Sequence, residues 1–195
     1  MTQNEKQSEE RTRLSFTWGR IARRIRVPLG FGFAALYLWR ARPTWTSLIT
    51  GAAIAALGLG FRAVASGHVD KNEELATTGP YAYVRNPLYV GSIVMAIGFA
   101  VAARDVVISL LIVVMFVLIY VPTIRSEERY LRTRFSEYSD YKRAVPRLIP
   151  RSLRFGGLTL GFSRELYLKH REYNASFGAA AMLAALAVKM LWFRE

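Results

Sequence analysis

The chain has no cysteine, which removes disulfides, thiol nucleophiles and thiolate-bound metals together. Its only imidazoles are His68 and His170, so no zinc site is expected and no metal is assigned. Acidic residues are also scarce, with 14 Asp and Glu against 27 Lys and Arg and a net charge of +13. Such an excess invites a nucleic-acid reading, but the position of the charges decides. Charge is missing altogether from Pro43 to Phe61, Pro87 to Ala103 and Val106 to Ile124, and Ala175 to Phe193 carries only Lys189.

Uncharged runs of this length match the roughly 17 to 25 residues that cross a hydrocarbon core, and a soluble core rarely holds several of them. With 52% hydrophobic residues, the sequence therefore predicts an all-α, polytopic transmembrane helical bundle of about five spans. Residues 27–39 form the shortest of these. A basic region before a short apolar run could also be a signal peptide, but Arg40 and Arg42 follow it in place of a small-residue cleavage site. With spans at 27–39, 43–61, 87–103, 106–124 and 175–193, alternate gaps hold 22 and 5 Lys and Arg residues. The positive-inside rule then places the N-terminus in the cytoplasm and the C-terminus outside. The basicity is explained by topology and by attraction to anionic membrane lipids, so no nucleic-acid partner is expected.

Three regions are expected: a basic cytoplasmic segment 1–26, a membrane core 27–154 and a C-terminal helical tail 155–195 with the fifth span. Met1 to Arg13 reads as disordered. Gly51, Ala55, Gly58 and Gly60 read as a helix contact face, because small side chains let membrane helices approach closely. The GxG within that run is a weak nucleotide signal, since no strand precedes it. After the fourth span, Leu131, Phe135, Tyr138 and Tyr141 recur at helical spacing among basic residues, as in a cytoplasmic amphipathic helix. Pro146 and Pro150 end that helix, and Gly156 and Gly157 suggest a hinge before the tail.

The stretch "GPYAYVRNPLYVG" stands at the entrance to the third span. Asn86 can cap a helix whose first residue is Pro87, and a helix start beside Arg85 is a ready site for a carboxylate or phosphate. The alternative is an interfacial anchor of Tyr and Arg at headgroup level. The third span leaves the cytoplasmic face and the fourth returns to it, so Arg85, Asn86 and the tyrosines can face Glu127 and Glu128 of "RSEER" across a shallow pocket. An anion site, a cation site and aromatic rings together suit a zwitterionic ligand with a positive centre. Taken alone, the two acids read as a solvated turn in which Glu128 pairs with Arg132 at i+4.

"GHVDKNEELATTGPYAYVRNPLYVG", followed by "EERYL", "Y..YK" and "VPRLIP", resembles the integral membrane methyltransferases typified by isoprenylcysteine carboxyl methyltransferase, with phospholipid N-methyltransferases as relatives. The resemblance covers about Gly60 to Pro150. It implies a helical membrane bundle that binds S-adenosyl-L-methionine at its cytoplasmic face and methylates a lipidic or prenylated acceptor. It also implies cofactor contacts at Lys71, Glu73, Glu74, Leu75, Ala76, Tyr81, Asn86, Pro87, Leu88, Tyr89 and Glu127, with Arg85, Glu127 and Glu128 as candidates for the chemistry. Asn86 stands where many members have histidine. Thr123 stands where the eukaryotic carboxyl methyltransferases have a substrate-binding arginine, which leaves nearby Arg125 as the substrate candidate. Two alternatives remain open at this point: a phospholipid N-methyltransferase, and a membrane lipid-binding or scaffold protein with a relict cofactor pocket. A homo-oligomer is compatible with either.

Overall fold

The computed structural model describes residues 30–70, 73–151 and 162–192. The expected segment 1–26, Lys71 and the hinge at Gly156 and Gly157 lie outside them. The described residues are all-helical, with no strand among them, as the charge-free runs predict. The chain divides into two units at Arg40. In the first, residues 30–40 are helical (α1), and the rings of Phe33 and Tyr37, one turn apart, lie 6.3 Å from each other.

The second unit begins with α2, Trp45–Ser66. Thr44 starts it with a reciprocal cap: its Oγ1 accepts from the Ser47 amide at 3.2 Å, and Ser47 Oγ accepts from the Thr44 amide at 2.9 Å. α3, Pro87–Ala103, runs back along it and coincides with the third predicted span. The two backbones meet across glycines. A Cβ on Gly58 would sit 2.5 Å from the Met95 amide nitrogen, and one on Gly98 would sit 2.5 Å from both Ala55 N and Gly51 O. Gly51, Ala55 and Gly58 are buried in this seam as expected, but Gly60 is exposed and faces open space. The reason is angular: two residues beyond Gly58 is about 200° round a helix.

Arg104, in the left-handed region at φ 50, turns the chain. Asp105 then caps α4, Val106–Arg134, its Oδ1 accepting from the Ile108 amide at 2.8 Å. The sequence predicts a span ending at Ile124 and a separate amphipathic helix after it. In the structure α4 runs on without interruption for 29 residues, and Tyr138–Ala144 form a separate short helix, α5. The loss of hydropathy after Ile124 marks a change of solvent, whereas Glu, Arg and Leu in "RSEERYLRTR" are good helix formers and carry the backbone onward. At 1.5 Å per residue α4 is about 44 Å long, so about 15 Å projects beyond a hydrocarbon core of roughly 30 Å.

The tail contains α6, Arg164–Lys169, capped by Ser163, and α7, Tyr173–Trp192. α7 runs antiparallel to α2: near its end Lys189 Nζ donates to the Ala41 carbonyl at 2.8 Å, and Glu172, just before its start, meets Arg62 near the other end of α2. Helices α2, α4 and α7 are long and apolar enough to cross a membrane, and α3, with 17 residues, is a shorter apolar helix. Together with α1 these are compatible with five spans. Val106, Leu110, Val113, Val117 and Leu118 on α4, and Phe177, Val188 and Leu191 on α7, are exposed, as suits side chains that face lipid.

Candidate active site

The end of α2, the start of α3 and the projecting turns of α4 meet at one end of the second unit. Between α2 and α3 the chain makes a short 3₁₀ turn, Gly79–Ala82. Gly79 has φ +55, and a Cβ there would fall 2.3 Å from the His68 ring, so both conformation and space require glycine. His68 is buried. Its Nδ1 donates to the Val64 carbonyl at 2.7 Å and its ring meets that of Phe162 edge-on at 6.3 Å.

The turn buries Tyr81, whose carbonyl accepts from Tyr141 Oη at 2.7 Å. The Arg85 amide donates to the Pro146 carbonyl at 2.9 Å, which joins "RNP" to "VPRLIP". Asn86 occupies the N-cap position of α3, but its side chain makes no cap there. Its Nδ2 donates instead to Glu128 Oε1 at 3.3 Å and to the Arg147 carbonyl at 3.4 Å. The predicted capping role is therefore corrected, because a buried carboxylate competes for the amide.

Glu128 is the centre of this arrangement. Arg147 Nε donates to its Oε1 at 3.0 Å and Nη2 to its Oε2, while Arg85 Nη1 lies 3.3 Å from Oε1 and donates to Tyr138 Oη at 3.2 Å. Glu128 thus pairs across the fold with Arg85 and Arg147, not with Arg132 along its own helix. The Arg85 side chain is 8% exposed and that of Glu128 is 10% exposed. One carboxylate between two guanidiniums leaves a net positive charge. Arg85 Nε, moreover, is buried without a hydrogen-bond partner. A buried donor left in that state carries its full desolvation penalty, so the position favours an incoming acceptor, best an anionic one.

Neighbouring groups respond to these charges. The hydrogen bond that Arg147 donates to Glu128 raises its guanidinium above the ordinary value, so it stays charged. Burial pushes the Tyr81 phenol up, with Tyr141, Glu127 and Glu172 adding to the effect. Burial and then the Glu128 charge raise Tyr138. These two phenols remain neutral near pH 7.

The remaining predicted residues are spread around this cluster. Glu73 and Glu74 are exposed in the loop before the 3₁₀ turn, and Leu75 and Ala76 are half-buried. Pro87 is buried, and Leu88 and Tyr89 are half-buried in the first turn of α3. The Tyr89 ring meets Tyr120 of α4 edge-on at 5.4 Å, and Tyr120 stacks on Phe116 at 4.4 Å. Arg125 and Glu127 are exposed on α4. The structure therefore brings Arg85, Asn86 and Glu128 into direct contact and leaves Glu127 towards solvent. Sequence reasoning missed Arg147, which it read only as part of a helix terminator. It also read Tyr138 and Tyr141 only as part of an amphipathic helix, whereas their hydroxyls meet Arg85 and the Tyr81 carbonyl.

Residues 45–138 match the phospholipid methyltransferase family. The nickel-cobalt-cadmium resistance protein NccN of Alcaligenes xylosoxydans xylosoxydans is 37% identical over 100 residues, covering 51% of this chain and 44% of that protein. The cobalt-zinc-cadmium resistance protein CzcN of Cupriavidus metallidurans is 33% identical over 135 residues, 65% of this chain and 62% of the relative. The protein-S-isoprenylcysteine O-methyltransferase of Schizosaccharomyces pombe is 32% identical over 103 residues, 52% of this chain and 44% of that enzyme. The matches thus span only 44% to 62% of these relatives' own lengths. No solved structure matches the chain. Residues 45–138, which hold α2 to α4 and end at Tyr138 beside Arg85, are thus similar to the membrane methyltransferases, phospholipid and isoprenylcysteine enzymes among them.

Proposed function

We propose that the chain is an integral membrane methyltransferase that uses S-adenosyl-L-methionine and modifies a lipidic acceptor, similar to isoprenylcysteine carboxyl O-methyltransferase, with its active site on the cytoplasmic face. The observation that carries this reading is the unpartnered, buried Arg85 Nε beside a helix start that no Asn86 side chain caps. Both features suit the cofactor's carboxylate. When bound, the cofactor supplies a methyl group already activated on a sulfonium. Tyr81 and Tyr89 offer aromatic faces to that positive centre. Glu127, exposed one turn beyond the apolar part of α4, accepts hydrogen bonds from polar edges of the ligand. Alignment and exclusion of water supply most of what such a transfer needs, several kcal/mol by orientation alone.

Glu128, tied to two arginines, positions Arg85 and is a poor base. A carboxylate acceptor requires none. An amine acceptor must lose a proton, and Glu127 is then the acid free to take it. The match of residues 45–138 to phospholipid methyltransferases favours this amine chemistry as the second reading. The resistance proteins' names raise metal binding, but among the described residues no group of three His, Asp or Glu side chains could hold a metal ion.

Calorimetric titration of S-adenosylhomocysteine into detergent-purified protein tests the cofactor, and labelled methyl recovered in a lipid fraction identifies the acceptor. Arg85→Ala should weaken cofactor binding about 10-fold to 200-fold, the worth of a charge-assisted hydrogen bond. Unchanged binding would return Arg85 to an anchor. Absence of binding in the wild type would favour the scaffold alternative. Sidedness is tested separately with single cysteines in this cysteine-free chain. Asp70→Cys and Ser139→Cys should react with an impermeant thiol reagent from the cytoplasmic side, and Arg104→Cys from the opposite side. The reverse pattern would put the site on the other face.

A further inference from the structure

Arg62 and Glu172 lie 110 residues apart, and Glu172 is beyond the stretch that matches the family. Arg62 is in the last two turns of α2, and Glu172 follows Arg171 at the junction of α6 and α7, where φ 53 turns the chain. The guanidinium uses all three of its nitrogens. Nε donates to Glu172 Oε2 at 3.1 Å, and Nη2 donates to Oε1 at 3.0 Å and Oε2 at 2.8 Å. Nη1 turns the other way, to the Leu88 carbonyl at 3.4 Å and to Ser92 Oγ. Ser92 Oγ also donates to the Leu88 carbonyl at 3.0 Å. The Arg62 stem crosses Gly91 so closely that a Cβ there would lie 2.6 Å from Cγ.

One planar group therefore connects the tail to the first turns of α3, the segment that carries Leu88 and Tyr89. The two side chains are 19% and 14% exposed, so water competes little for the pair. A bidentate carboxylate fixes the plane of a guanidinium, which a single hydrogen bond does not. Without Glu172 the head of Arg62 can rotate, and its hold on the Leu88 carbonyl and Ser92 is no longer set. The tail has other attachments that do not reach α3: the Ser163 amide donates to the Gly67 carbonyl at 2.8 Å, and Lys169 Nζ meets Asp70 at 2.8 Å on the exposed surface.

We propose that Glu172 is a positioning residue, which acts through Arg62 to set the first turns of α3 and thereby the affinity for the cofactor. This rests on the S-adenosyl-L-methionine reading given above. The experiment compares the full-length wild type with Glu172→Gln and Lys169→Gln, titrating S-adenosylhomocysteine and measuring kcat and KM for S-adenosyl-L-methionine. Glu172→Gln should raise Kd and KM about 10-fold, since it removes the charge that orients Arg62. Its kcat should stay within about 2-fold, because the lost interaction supports binding of ground state and transition state alike. Lys169→Gln should bind as the wild type does.

Wild-type affinity in Glu172→Gln would overturn the proposal while leaving the cofactor reading intact. So would fewer binding sites at unchanged Kd, the sign of a tail that only stabilises the fold, or an equal loss in Lys169→Gln. Should Glu172→Gln fail to fold, Arg62→Lys keeps the charge but not the fork, and it should raise Kd to a similar degree. No loss in that variant overturns the proposal equally. A wild type that binds no S-adenosylhomocysteine sinks this inference together with the reading on which it rests.

Discussion

Glu128→Gln should lower the unfolding free energy by about 3 kcal/mol or more, because it leaves a buried guanidinium without its counter-charge. Arg147 is 44% exposed and can turn towards water, but Arg85, at 8%, cannot. Glu127→Gln on the preceding residue removes the same charge from an exposed position, and its effect on stability should remain within about 0.5 kcal/mol. Thermal unfolding of both variants in detergent makes the comparison. The double variant Arg85→Leu with Glu128→Leu should recover part of the loss, since a buried pair replaced as a unit leaves no charge stranded. Equal shifts for the two glutamines would mean that Glu128 is not held in the cluster. Ligand affinity is a separate question, and there the role proposed for Glu127 predicts weaker cofactor binding in Glu127→Gln.

Gly98→Val should prevent recovery of folded protein. The new Cβ would meet the Ala55 nitrogen and the Gly51 carbonyl at 2.5 Å, and both are backbone atoms of a facing helix that no rotamer change can move. Overpacking ordinarily costs about 1 to 3 kcal/mol when side chains can yield. Here α2 and α3 must separate along their seam, so the loss should exceed that range. Gly60→Val, on α2 but outside the seam, meets open space and serves as the control. Size-exclusion profiles after extraction, compared at equal expression, give the answer. Monodisperse Gly98→Val in wild-type yield would rule out the close α2 and α3 contact.

Much of this architecture is legible in the sequence because membrane helices announce themselves by composition. The run from Pro87 to Ala103 is bounded by a proline at one end and Arg104 at the other, and the helix keeps those bounds. Where hydropathy and backbone part company, the reading fails: α4 continues ten residues past Ile124, since charge alters what surrounds a helix before it alters the helix. The same limit hid Arg147. Its contact with Glu128 spans 19 residues and a change of direction, and no local spacing encodes that. The facing of Arg85 and Asn86 by an acid of "RSEER" was deducible from the order of spans. Which of the two acids turns inward depends on the rotation of α4, and that is set by packing with α3 and the "VPRLIP" loop. The link between Arg62 and Glu172 was hidden for the same reason, because it joins α2 to the α6–α7 junction 110 residues away.

The glycine seam has one more consequence, for traffic in the bilayer. Where Gly51 faces Gly98 and Gly58 faces Gly91, the two backbones are in contact, and no space is left between them for an acyl chain. A lipid moving laterally towards the start of α3 is turned away along that line. The other flank of α3 has aromatic rings where the seam has bare backbone: Tyr89, Tyr120 and Phe116, side chains that can change rotamer where glycine backbone cannot yield. For a hydrophobic molecule in the membrane, the α2 side of α3 is a wall, and any doorway lies on the side of α4.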